Sequence, residues 1–330
     1  LWGVALGMGL LSLLADWTRP AKRLLLLLVL AALALWSTGR AQHAGWHLVE
    51  SPYNSIRVMD GEDGRRPVRL VATDPGFHQS GMYRDDPAEL YAPYTRYYAL
   101  GPLVVPQARR VLMLGGGGYS VPKWLLSGRS GLAADGLRCT VVELDPAMTQ
   151  VAREYFALPA DDPRLRIVHA DARAFLERQR EQYDLVFVDV FNSCYSVPFH
   201  MGTREAAARM RAAVAPGGAL IMNVIGAAQG RDAPLFQSVY KALRTAFAEV
   251  HVFGVGNPYR PESLQNLMLL AFPEARTPDW QAAEAAPSPE LAALLSARME
   301  VPPDPAVPPL RDDFAPVERY ALMLLEAQRR

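Results

Sequence analysis

The chain has 330 residues, half of them hydrophobic, which is room for one large domain or two ordinary ones and rules out a disordered polymer. Lys plus Arg and Asp plus Glu both number 34, so the formal charge is zero, which argues against a chain that coats nucleic acid. Two cysteines, Cys139 and Cys194, are too few for a disulfide framework or a cysteine-rich zinc site, and the six histidines show no metal spacing.

Residues 1–14 carry no charge, 15–23 are polar and hold Pro20, and 24–36 are unbroken apolar residues flanked by Lys22, Arg23 and Arg40. Basic flanks that snorkel relax the usual need for about 20 apolar residues per span. Residues 1–40 therefore predict two transmembrane helices, the end of a longer membrane region in a bacterial inner membrane; a buried helical hairpin is the competing reading. Arg19, Lys22 and Arg23 place the intervening loop inside, and the remainder outside. The chemistry argued below needs a cytosolic co-substrate, so the soluble part is expected in the cytoplasm despite that conflict.

From Trp46 the texture is that of a soluble domain. Residues 46–60 and 65–74 are short, partly alternating apolar runs around Gly61–Gly64, a strand–turn–strand pattern that predicts a small β domain over 46–86. A helical stretch is expected around 88–103. Strands then alternate with helices: 111–114, 138–145, 164–171, 183–190 and 218–224 as strands, 146–158, 172–180, 203–213 and 234–248 as helices. Strands so uniformly apolar predict a mostly parallel sheet covered on both faces, over 87–273. The strands at 249–255 and 264–272 have no helix between them and suit an antiparallel edge. Residues 274–330 read as a Pro/Ala-rich linker with a short helix, then a docking helix near 311–328.

Four features carry chemistry. The strand 111–114 runs into Gly115, Gly116, Gly117 and Gly118, letting backbone approach a ligand, although a glycine turn can also be purely structural. It matches neither the GxxxxGKS phosphate loop nor, with Ser120 at the third glycine, the GxGxxG fingerprint of nicotinamide enzymes. Glu143 ends the next strand, where an acid can accept two ribose hydroxyls or be merely exposed. Asp171 ends the third strand and can cap the following helix. Asp189 ends the fourth, ahead of a long loop over 190–202, and suits either a general base or a holder of loop amides. His78 and His200 are candidates for lining or gating the cleft. Cys194 has no sequence neighbour that lowers its pKa.

The order ESPYNSIRV, glycine turn, VELD, DPRLRIVHADARAFL and YDLVFVD, over about 49–272, resembles the spermidine synthase family; apolar segments ahead of it and DDFAPVE at 312–318 resemble its membrane-fused bacterial branch. The resemblance implies a Rossmann-like, S-adenosylmethionine-dependent methyltransferase fold with a small N-terminal β domain. It implies transfer of an aminopropyl group from decarboxylated S-adenosylmethionine to a small amine, without a metal, and leaves room for a homodimer. By position, Glu143 takes the ribose, Asp171 and Ala172 the adenine, and Gly115, Gly116 and Gly117 with Gln79 the rest of the co-substrate. Asp189 matches the family's catalytic Asp, while Tyr94 and Asn192 face the amine. The chain departs from the family at Gly118 and Asn192, each replacing an Asp, and at Arg96, replacing a Glu. Those changes remove carboxylates that would offset the desolvation of a dication. Methyl transfer from S-adenosylmethionine, and a non-catalytic nucleoside or polyamine sensor, are the alternatives.

Overall fold

The computed structural model describes residues 28–29, 46–73, 78–190, 198–276, 280 and 288–328. Strands β1 (Trp46–Glu50), β2 (Ser55–Asp63), β3 (Arg66–Ala72) and β4 (Ser80–Tyr83) form one antiparallel sheet in sequential order. The run 46–60, expected as a single strand, breaks at Ser51–Asn54. There the Ser51 hydroxyl accepts the amides of Tyr53 and Asn54, and backbone bonds local to a turn replace the ladder. The helical stretch expected at 88–103 is a 3-10 helix (Pro93–Ala99) running into the short α1 (Leu100–Val104).

The second sheet has eight strands: β5 (Arg110–Leu114), β6 (Arg138–Glu143), β7 (Leu165–His169), β8 (Tyr183–Val188), β9 (Val214–Gly226), β10 (Glu249–Gly254), β11 (Gln265–Phe272) and β12 (Arg298–Met299). Their order is β12-β10-β11-β9-β8-β5-β6-β7; β5 through β9 pair in parallel, and β11 pairs antiparallel with both β9 and β10. Residues on both faces of the central strands are fully buried, among them Leu112, Val141, Phe187 and Ile221. That is why these strands read as continuous apolar runs rather than alternating ones. Helices α2 (Ser120–Leu126), α3 (Pro146–Tyr155), α4 (Ala172–Arg178), α5 (Arg204–Ala213) and α6 (Pro234–Leu243) follow or join the strands. The antiparallel edge expected at 249–272 is present, and Arg298–Met299 extends it.

The membrane reading needs correction. The apolar segments 1–14 and 24–36 lie outside the described residues, apart from Leu28 and Val29. No helix among the described residues is long and apolar enough to cross a membrane. The terminal helix α8 (Val317–Gln328) has 12 residues, well short of the roughly 20 a span requires. The transmembrane part of the expected fold and the inner-membrane location are therefore not supported, and the lipid partner and the membrane-fused branch are not shown.

Beyond α7 (Pro289–Ser296), the C-terminal segment is pinned beside α4 and α5. Asp312 accepts from Arg173 at 2.6 Å and from the Thr203 hydroxyl at 2.6 Å, while Arg173 also donates to the His200 carbonyl at 2.9 Å. Asp312 thus ties the chain end to α4 and to the residue that caps α5.

Candidate active site

The parallel strands deliver their functional residues at one edge. Gly115 follows β5, Glu143 ends β6, Asp171 follows β7 and Asp189 follows β8, so all four sit at carboxyl ends of adjacent strands. They line one cleft of about 350 Å³, together with Gln79, Tyr94, Gly116, Gly117, Ala172 and His200. Of the residues singled out in the sequence, Asn192 and Cys194 lie outside the described residues. His78 is exposed and does not line the cleft. Arg96, expected to make the amine pocket less anionic, is exposed and lines a separate groove beside Trp124 and α7.

The glycine turn is shaped by what it must pass. Gly115 has φ +93°, and a Cβ there would strike the Asp189 carbonyl oxygen. At Gly116 a Cβ would come within 2.8 Å of the Tyr119 ring and 3.0 Å of Glu143 Oε2. Tyr119 adopts φ 54° and its buried ring lies beneath the turn; its hydroxyl meets Thr149 Oγ1 at 2.7 Å. Gly117 also has positive φ but open surroundings, with Ser80 Cβ at 3.8 Å its closest neighbour. Gly115→Ala is therefore expected to cost about 1–3 kcal/mol in backbone strain and to displace Asp189, cutting turnover at least about tenfold. Gly117→Ala, strained but unobstructed, is the control that should leave turnover nearly intact; urea unfolding with steady-state rates separates the two.

Glu143 is buried, and its carboxylate organises the turn. Oε2 accepts the amides of Gly116 at 2.8 Å and Gly117 at 3.3 Å, and Oε1 accepts that of Asp145 at 2.8 Å. Burial pushes its pKa up, opposed by those three backbone donors. Of the four lone-pair positions on its two oxygens, three are taken by these amides and one is left for a further donor.

Asp145 explains the SPYNS sequence. Only 1% exposed, it caps α3 through Ala147 N and accepts from Ser51 Oγ at 2.6 Å and Asn54 Nδ2 at 3.0 Å. The β1–β2 turn is thereby fastened two residues from Glu143. Ser51→Ala should leave a buried carboxylate one donor short, lowering unfolding free energy by about 1–3 kcal/mol in urea titrations.

Asp171 caps α4 through Ala174 N at 2.8 Å, as its sequence position suggested, and its other oxygen meets His200 Nε2 at 3.2 Å. His200 is thus a wall of the cleft. Asp189 accepts from the Tyr94 hydroxyl at 3.0 Å and from Asn223 Nδ2 at 3.1 Å. Burial raises its pKa, and the two donors partly offset that; burial and the neighbouring carboxylate push the Tyr94 hydroxyl well up. Gln79 lines the cleft, and its Oε1 is buried without a hydrogen-bond partner among the described residues.

Sequence reasoning missed Asn223, Ser80 and Phe156. Asn223 carried a signal, as a lone polar residue inside the apolar run 219–225. Ser80 and Phe156 did not: they matter because they close the space at Gly118, where a Cβ would lie 2.7 Å from Ser80 Oγ and 3.3 Å from the Phe156 ring.

A family profile described as "spermine/spermidine synthase domain" matches residues 98–271. The polyamine aminopropyltransferase of Vibrio vulnificus is 28% identical over 230 residues, 68% of this chain and 71% of its own length. A probable polyamine aminopropyl transferase of Bifidobacterium longum is 29% identical over 230 residues, 69% of this chain and 45% of the relative. Among solved structures, a probable spermidine synthase from Corynebacterium glutamicum superimposes with TM-score 0.63 at 20% identity, covering 81% of this chain and 96% of the other. The spermidine synthase of Thermotoga maritima gives 0.56 at 18% identity, covering 78% and 84%. At such identities the structural likeness speaks for the fold alone.

Proposed function

The chain belongs to the spermine/spermidine synthase family, and we propose that its cleft transfers an aminopropyl group from decarboxylated S-adenosylmethionine to a small amine. The observation that carries this reading is the convergence of Glu143, Asp171 and Asp189 on one cleft floored by a glycine turn. The donor fits the residues present: a buried carboxylate for ribose at Glu143, a backbone approach at Gly116 where a side chain would intrude, and at Gln79 an acceptor with no partner among the described residues.

The donor supplies a sulfonium whose attached carbon accepts the amine nitrogen as the carbon–sulfur bond breaks. Asp189 supplies the rest. Its carboxylate, held by Tyr94 and Asn223, orients the amine and receives the proton that nitrogen loses on forming the new bond. Its negative charge also faces the nitrogen as that atom gains the positive charge the sulfur loses, an interaction made chiefly in the transition state. Burial raises the Asp189 pKa, which makes its carboxylate a stronger base than an exposed aspartate.

A second reading, methyl transfer from ordinary S-adenosylmethionine, is favoured by one feature. Gly118 stands where the resemblance expects the Asp that pairs with the donor's amino group, and Ser80 and Phe156 occupy the adjoining space. Incubation with each donor separately over a panel of mono- and diamines, read by mass spectrometry, decides between them. A gain of an aminopropyl mass supports the proposal; a gain of a methyl mass replaces it.

A further inference from the structure

Asp189 is joined to β11 by a chain of amides. Asn223, on β9 and 2% exposed, donates from Nδ2 to Asp189 Oδ1 at 3.1 Å, and its own Oδ1 accepts from Asn266 Nδ2 at 3.0 Å. Register places Asn223 opposite Met268, so Asn266 is its diagonal neighbour on the same sheet face. An ionised carboxylate can only accept, which requires the Asn223 amide to face it with NH2. The Asn223 carbonyl is then turned toward β11, where only a donor satisfies it. Asn266 supplies that donor and does not line the cleft.

We propose that Asn266 is a positioning residue, which fixes the Asn223 amide in the orientation that keeps Asp189 ionised and aimed into the cleft. The inference rests on reading Asp189 as the base, but its central claim concerns the carboxyl itself. Among the described residues, the groups facing Asp189 from other elements include Tyr94, which donates to its second oxygen, and Tyr98, whose hydroxyl is bonded to the Val188 carbonyl. Glu143, Asp171 and His200 share the cleft. Asn266 donates to Asn223 rather than to any of these groups, so a change there reaches Asp189 through Asn223. Burial works against the charged form, so each donor to it matters.

The test is an infrared pH titration of the carboxyl band that Asp189→Asn removes, which needs no substrate. It is run on wild type, Asn266→Leu and Asn266→Asp, each against its own Asp189→Asn partner. Removing the donor in Asn266→Leu should raise the Asp189 midpoint by about half to one pH unit. Asn266→Asp, which replaces the donor by an acceptor and favours a turned Asn223, should raise it further. Asn266→Thr keeps a hydroxyl donor on a strand-favouring residue and should stay near wild type; it carries the comparison with Asn266→Asp if the Leu variant does not fold. Midpoints unchanged in Asn266→Leu and Asn266→Asp would overturn the inference. Retained turnover in Asp189→Asn alongside shifted midpoints would instead remove the catalytic reading and leave the relay standing.

Discussion

Asp189→Asn should lower aminopropyl transfer by about 10²–10⁴-fold, the range expected when a positioned general base is lost. The substitution is nearly isosteric, and both contacts survive it: the new carbonyl still accepts from Asn223 Nδ2, and the new amide donates to the Tyr94 hydroxyl, which can accept. Donor affinity should therefore change less than about twofold while kcat collapses, a split that marks an interaction made chiefly in the transition state. Stability should not fall. Burial raises the folded-state pKa of Asp189 above its unfolded value. Ionised Asp189 therefore opposes folding, and stability declines as pH rises from the unfolded pKa through the folded one. An amide at this position escapes that cost, so thermal unfolding near neutral pH should occur at the same temperature or higher. Loss of both stability and turnover would instead assign Asp189 a structural role.

Glu143→Gln should act on the other half of the cleft. Three backbone N–H groups point at the two carboxylate oxygens, from Gly116, Gly117 and Asp145. A glutamine amide offers one oxygen, so whichever way it turns, its NH2 confronts at least one of those donors. The glycine turn loses its anchor and the ribose its anionic acceptor together. Hydrogen bonds to a charged group contribute about 1.5–3 kcal/mol each, so the KM for the adenosyl donor should rise about tenfold to a hundredfold. kcat should fall less, because Asp189 is held independently through Tyr94 and Asn223. The opposite pattern, with KM intact and kcat lost, would place Glu143 in the chemical step.

Much of this arrangement was legible before any coordinates. Strands buried on both faces have no alternation to confuse, so β5, β6 and β8 appear as apolar runs, and in a parallel sheet their carboxyl ends share one edge. That rule alone brings Glu143, Asp171 and Asp189 together. What it cannot give is which side chains from elsewhere reach the same edge. Ser51 and Asn54 meet Asp145 across more than ninety positions of chain, and no local pattern announces a contact of that span. Asn266 looks like an ordinary polar residue near a strand start, and only the β9–β11 register links it to Asp189. The reading of Arg96 failed for a related reason. Alignment fixed its position in the chain, whereas the 3-10 backbone of Pro93–Ala99 turns it away from the side that Tyr94 and Thr95 present to the cleft.

Calorimetric titration of the wild-type chain with decarboxylated S-adenosylmethionine and, separately, with NAD tests the central claim most directly. A cleft built from Glu143, Asp171 and Asp189 around an adenosyl sulfonium predicts one saturable site for the adenosyl ligand, weakened by Glu143→Gln and kept by Asp189→Asn, with no comparable heat from NAD. Saturable binding of NAD with none of the sulfonium donor would contradict it.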